Sequence, residues 1–297
     1  MIYRKGIALI QVLIITAILS VFALYLNQTA KQQIHLASLA QKRAEAEALL
    51  YSAHSKLLFE LLTTDKLLYN SEQPIDTSSN KASHRWNFHG QPFNINDFVT
   101  IKIQDQAGLL NLHKPNIDLL EQFLISNNIG LTRARIIIDS LLDWQDKDSI
   151  SREFGRDSVD LNSVRNGPLN DLEELEKVVL LSDEEKKLLF DNTTVSFIGH
   201  FNPMSASKEL IKSITKNVGS ERIIERLRNE NALSRGKFED ITGIHDNDNT
   251  WLTVSNTLRI TYQVEYDSIN LKKEFVIKFK PYATGKVSPY TILSERN

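Results

Sequence analysis

Residues Ile7 to Leu26 read IALIQVLIITAILSVFALYL, a run without a single charge. A run of this length, coiled as an α-helix, crosses a hydrocarbon core of about 30 Å. Arg4 and Lys5 stand just before it, and the next charge is Lys31. Basic residues hold their flank on the cytoplasmic side, so the bulk of the chain is expected outside the cytoplasm. A removable signal peptide competes with a retained anchor. The short basic leader suits a signal peptide, but positions 20–35 contain no A-x-A site. The A-x-A matches fall in Ala44-Glu45-Ala46-Glu47-Ala48, inside a charged stretch far beyond the apolar run.

Helical spacing continues past the anchor through Leu36, Leu39, Arg43, Ala46, Leu50, Leu57 and Leu61, and no Pro or Gly interrupts residues 7–73. A helix from 7 to about 62 would be roughly 80 Å long. Its first half is apolar all round and its second half amphipathic. The first half therefore belongs in lipid, and the second carries a folded head.

The 297 residues suggest about two compact lobes. With 41% hydrophobic residues the chain is too apolar for a disordered protein. The absence of Cys excludes a disulfide scaffold, an iron–sulfur protein, a thiolate zinc site and a Cys nucleophile. With 35 Lys+Arg against 37 Asp+Glu, the net charge of -2 argues against bulk nucleic-acid binding.

Residues 70–97 are polar and turn-rich, with a short strand near Trp86 and Phe88. Val99 to Gln104 alternates strictly and predicts a strand that buries Val99, Ile101 and Ile103. From about 115 to 245 the period is helical. Asp118–Asn127 and Arg133–Trp144 are expected helices, with Thr132 as N-cap of the second. Asp171 with Glu174 and Ser182 with Glu185 have capping-box spacing. Ser205 is expected to cap another helix, and Glu221–Glu230 forms a further one. The period then returns to two. Leu258, Ile260, Tyr262, Val264 and Tyr266, followed by Leu271, Phe275, Ile277 and Phe279, predict a hairpin with one apolar face. The expected fold class is α+β: a long helix packed on a small antiparallel sheet, which a large all-helical insertion interrupts.

A short basic leader ending in Gly6, followed by an apolar helix that becomes amphipathic, resembles the N-terminus of the type IV prepilin-like family. In that family a prepilin peptidase cuts after the glycine and N-methylates the new first residue, here Ile7. The family's fifth mature residue is typically Glu, which pairs with the N-terminal amine of a neighbouring subunit during assembly. Gln11 stands there in this chain. Lack of that Glu is typical of the K-type minor pseudopilin of the type II (general) secretion pathway. Further motifs resemble that group. They are Asp105-Gln106-Ala107-Gly108-Leu109-Leu110-Asn111-Leu112, Leu141-Leu142-Asp143-Trp144-Gln145-Asp146-Lys147-Asp148, Asn166-Gly167-Pro168-Leu169 with Leu172-Glu173-Glu174-Leu175, and Phe201-Asn202-Pro203-Met204-Ser205.

The resemblance implies a leader at 1–6, a transmembrane helix at 7–26 and a pilin-like first part at 27–111. It also implies a SAM-like or helix-hairpin-helix-like inserted domain at 112–248 and a pilin-like second part at 249–297. It implies a non-enzymatic subunit in the inner membrane of a Gram-negative bacterium, with its bulk in the periplasm. Such a subunit caps the pseudopilus tip with minor pseudopilins of the I and J types, above the major pseudopilin, and helps to initiate assembly.

Asp143, Asp146, Asp148, Glu153, Asp157 and Asp160 crowd six carboxylates between positions 143 and 160. Oxygen ligands at this density suit Ca²⁺. The spacing is not that of an EF-hand: counting from Asp146, the sixth position is Ser151 and the twelfth Asp157. The competing reading is a solvated loop whose carboxylates cap helices. The resemblance implies calcium held by Asp143, Asp146, Asp148 and Asp157, with no cofactor otherwise required. His245-Asp246-Asn247-Asp248-Asn249 reads as a turn.

H-E-x-x-H, G-x-S-x-G, P-loop and G-x-G-x-x-G motifs are absent from the sequence. The alternative function is an extracytoplasmic DNA-binding module of an uptake or pilus system, with Arg133 and Arg135 opening a helix. Asn128-Ile129-Gly130-Leu131 supplies only one glycine of a Gly-h-Gly hairpin, so no nucleic acid is expected.

Overall fold

A computed structural model describes residues 7–64, 86–148, 150–155, 165–215 and 217–297. Helix α1 runs unbroken from Ile7 to Thr63, about 85 Å of helix. It begins to meet the head near Lys42. From there Ala46, Leu50, Ala53, Leu57, Leu58 and Leu61 recur at three- and four-residue steps and are buried. Leu36, expected on the packed face, is instead 64% exposed, because the helix has already left the sheet at that point.

That face lies on an antiparallel sheet of strand order β1-β2-β5-β6-β7, with β1 at Phe93–Asn94, β2 at Val99–Asp105, β5 at Thr257–Tyr266, β6 at Ile269–Phe279 and β7 at Tyr290–Arg296. Strands β2 and β5 are far apart in the chain, yet they pair Ile101 with Tyr262 and Ile103 with Ile260. These side chains, with Leu258, Val264, Phe275, Ile277 and Phe279, form one core beneath α1. Strand β7 is not expected from the sequence. Tyr290-Thr291-Ile292-Leu293-Ser294-Glu295-Arg296 lacks alternation because it is a half-solvated edge strand. Its pairing with β6 is shifted by an irregularity between Val276 and Ile277.

Between β2 and β5 the chain builds a second core. Helices α2 (Ile117–Ser126), α3 (Leu131–Gln145), α4 (Leu175–Val178), α5 (Asp183–Asn192), α6 (Lys208–Ile214), α7 (Ser220–Asn229) and α8 (Arg235–Thr242) surround Phe123, Ile137, Leu141, Leu210, Ile224 and Phe238. Leu110 and Leu252 belong to this core, whereas Leu258 belongs to the sheet. A two-strand parallel ladder, β3 (Leu110–Asn111) with β4 (Thr193–Thr194), ties the start of the helical part to its middle.

Two caps differ from expectation. Gly130, not Thr132, precedes α3, and no side chain caps that end. Ser207, not Ser205, caps α6 through the Leu210 amide, because Ser205 closes a 3₁₀ turn at Pro203–Ser205. The Ser182–Glu185 capping box opens α5 as expected.

Candidate functional site

The anchor comes first. The apolar residues from Leu9 to Leu26 are exposed along α1, and this helix is long and apolar enough to cross a membrane. Gln11 sits on it and is exposed. Ile7 begins the helix, and Gly6 lies outside the described residues.

The second feature is the seam between the sheet and the helical part. Asp105 ends β2 with a fully buried carboxylate. The Ala107 amide donates to its Oδ1 at 3.0 Å and the Ser255 hydroxyl at 2.6 Å. The Ser255 amide also donates to it at 3.3 Å, and Asn202 Nδ2 reaches Oδ2 at 2.9 Å. One carboxylate thus ties the strand end, the segment after the helices and the turn at 202–205. Burial pushes the Asp105 carboxyl above its usual range, against these donors.

Gly108 faces the same turn. A Cβ placed there would stand 2.4 Å from the Ser205 carbonyl oxygen. The Asn202 amide also donates to the Ala107 carbonyl at 2.7 Å. The two motifs around Asp105–Gly108 and Phe201–Ser205, distant in the chain, therefore form one joint. Arg228 of α7 braces it from behind, donating at 2.8 Å to the carbonyls of Met204 and Ala206. On the sheet side, Arg259 of β5 donates to the Phe190 and Thr193 carbonyls at the end of α5, where a cation opposes the helix dipole.

The third feature is the acidic loop after α3. Asp143 is buried and Asp146 half-buried, and the Arg152 guanidinium reaches both carboxylates. The Arg152 amide adds a bond to Asp143 Oδ2 at 3.2 Å. Asp148 is exposed and accepts the Ile150 amide. Gly155 packs so closely that a Cβ there would fall 1.9 Å from Asp143 Oδ2. Asp157 lies outside the described residues. Among the described residues, no three His, Asp or Glu side chains converge into a set that could hold a metal. Asp143 and Asp146 share the Arg152 guanidinium, and Asp146 Oδ1 is buried without a partner among the described residues.

On the reading that Asp143, Asp146, Asp148 and Asp157 hold calcium, millimolar Ca²⁺ should raise the melting temperature above that in EDTA, and Asp146→Ala with Asp148→Ala should abolish the gain. Arg152→Ala should destabilise by about 1–3 kcal/mol, because Asp143 loses its ion pair and keeps the backbone amide of residue 152. Differential scanning calorimetry checks both. A bound ion at about 100 times its dissociation constant would add about 2.7 kcal/mol, enough to be seen.

The two cations that open α3 are committed to neighbours. Arg133 donates to Glu185 Oε1 at 2.7 Å, and Arg135 pairs with Glu121 at 3.3 Å. Asn247 organises the 245–249 segment as a turn, accepting from the Asn249 and Thr250 amides.

No protein-family model matches this chain, and no curated protein matches it. Among solved structures, it is similar to a chain of the GspK-GspI-GspJ complex from the enterotoxigenic Escherichia coli Type 2 Secretion System. The two are 15% identical, with a TM-score of 0.53, over 91% of this chain and 98% of that one. The likeness shows a shared fold.

Proposed function

We propose that this chain is a K-type minor pseudopilin of a type II secretion system. One observation carries the reading: a single apolar helix leaves an antiparallel sheet whose strands β2 and β5 are separated by a large helical insertion. The fold likeness over 91% of the chain supports it. On this reading a prepilin peptidase cuts between Gly6 and Ile7, and residues 7–26 then hold the subunit in the inner membrane with its head in the periplasm.

Gln11 is neutral and offers no carboxylate to the terminal amine of a subunit above it. The helical insertion is too bulky to recur along a thin filament. Both features favour one copy at the tip, joined to minor pseudopilins of the I and J types and resting on the major pseudopilin. The subunit works by assembly and carries out no chemistry of its own.

Processing is the test. Mass spectrometry of the membrane-extracted chain should find an N-methylated terminus at Ile7, and Gly6→Ala should leave the leader attached in essentially all molecules. A mature chain starting near residue 30 or later would show an ordinary signal peptide and end the proposal.

A further inference from the structure

A cavity of about 440 Å³ opens beside the seam, lined by Gln106, Leu109, Lys114, Leu119, Ile198 and His200 among others, a size suited to a small ligand or an inserted side chain. Gln106 is 1% exposed, and its Oε1 accepts the Thr194 hydroxyl at 2.6 Å. Its Nε2 has no partner. A buried amide N–H without an acceptor is costly and calls for an oxygen from outside. His200 Nε2, on the same wall, also lacks a partner.

The electrostatics point the same way. Although the chain is net acidic, none of the lining residues is Asp or Glu, and Lys114 is among them. Asn116, the N-cap of the ten-residue helix α2, lines the cavity too, so the positive end of that helix dipole faces it. Leu109, Leu119 and Ile198 supply apolar wall.

Two exposed aromatic rings flank these residues. Phe197, next in sequence to Ile198, is 75% exposed and stacks on His113, with centroids 4.4 Å apart. Trp251 is 50% exposed and stacks on His200 at 4.5 Å. Rings held in place by stacking present contact area at little entropic cost, as interface anchors do. They extend the apolar surface beyond what a small acid would cover.

We propose that this cavity is a docking site for a partner polypeptide, which inserts a carboxylate flanked by apolar residues. The carboxylate meets Gln106 Nε2, His200 Nε2 and Lys114, and the neighbouring apolar side chains lie on Phe197 and Trp251. The site does not depend on where the subunit sits in a secretion system.

Calorimetric titration of the full chain in detergent micelles tests it with four probes: N-acetyl-leucine, N-acetyl-leucinamide, acetyl-Phe-Ala-Leu and butyrate. N-acetyl-leucine should bind with about millimolar affinity. The neutral amide should bind about tenfold more weakly, as expected for losing a charge-assisted bond. Acetyl-Phe-Ala-Leu should bind more tightly than N-acetyl-leucine, and Trp251→Ala should remove that gain. The change Lys114→Glu, with an unaltered melting temperature, should weaken N-acetyl-leucine and acetyl-Phe-Ala-Leu by about tenfold each. Gln106→Glu should do the same if it folds, but Lys114→Glu decides the matter if it does not. Absence of saturable binding, or equal binding by Lys114→Glu, would overturn the site. Butyrate binding as tightly as the tripeptide would reassign it to small organic acids and overturn the peptide reading.

Discussion

Replacing Asp105 with alanine should lower the unfolding free energy by about 3–5 kcal/mol, the largest loss expected from any single change in the head. The carboxylate is fully buried and is met by the amides of Ala107 and Ser255, the Ser255 hydroxyl and Asn202 Nδ2. Removing it strands these donors at once. Relief of the buried charge offsets part of the cost, which is why the sum stays below four separate penalties. Chemical denaturation followed by far-UV circular dichroism measures it, and a loss under about 1 kcal/mol would show that the donors re-pair or hydrate.

The sign of the pH dependence follows from the raised carboxyl. Because burial lifts the folded value above the usual 3.8, the folded state holds this proton to higher pH than the unfolded one. The group's contribution is therefore fullest below the unfolded value, and is lost as pH rises through the folded value. Asp105→Asn should flatten that part of the stability profile. It should also destabilise less than alanine, since an amide oxygen still accepts from part of the set.

Replacing Gly108 with valine should be nearly as damaging, at about 2–4 kcal/mol, and for a different reason. The Cβ position lies 2.4 Å from the Ser205 carbonyl oxygen and 2.6 Å from its carbon. This neighbour is backbone, fixed by the Asn202 amide to the Ala107 carbonyl and by Arg228 to Met204 and Ala206. Nothing at the far end of a flexible side chain can give way, so the turn at 202–205 must move away from the strand end. The sheet should keep its own core while the helical part loosens. Hydrogen exchange should show lost protection at Asn202–Ala206 and α7 before β2 and β5. Equal loss in both regions would mean the two cores melt as one unit.

Much of the architecture is legible in the sequence because it rests on local period. The apolar run after Arg4 and Lys5, the alternation in Val99–Gln104 and Leu258–Phe279, and the Ser182–Glu185 cap each need only near neighbours to declare themselves. So the anchor, the central strands and the interrupting helices can be read directly. Strand β7 cannot, because an edge strand is wet on much of its surface and carries no alternation. The cap of α6 is ambiguous in the same way, since Ser205 and Ser207 both stand before the helix. Contact with Gly108, a long-range event, assigns Ser205 to the joint and leaves Ser207 to the helix.

The candidate sites divide along the same line. Gly6, Ile7 and Gln11 are proposed as positions in a linear recognition sequence, and such a reading lies in the order of residues. The acidic segment shows what composition alone leaves open. Six carboxylates between positions 143 and 160 suggest a divalent ion, and only the fold shows that Arg152 reaches Asp143 and Asp146. Charge density is additive along a chain, whereas coordination depends on which side chains share a point in space. The orphaned Gln106 amide and the rings of Phe197 and Trp251 are further examples. They come from widely separated segments, and no pattern within any one of them marks the others. Local spacing sets where the chain is helix, strand or anchor, since those states are stabilised by bonds between near neighbours. The joint at Asp105, the Arg152 clasp and the cavity arise only when distant segments pack, because their energies depend on pairings that the folded chain alone creates.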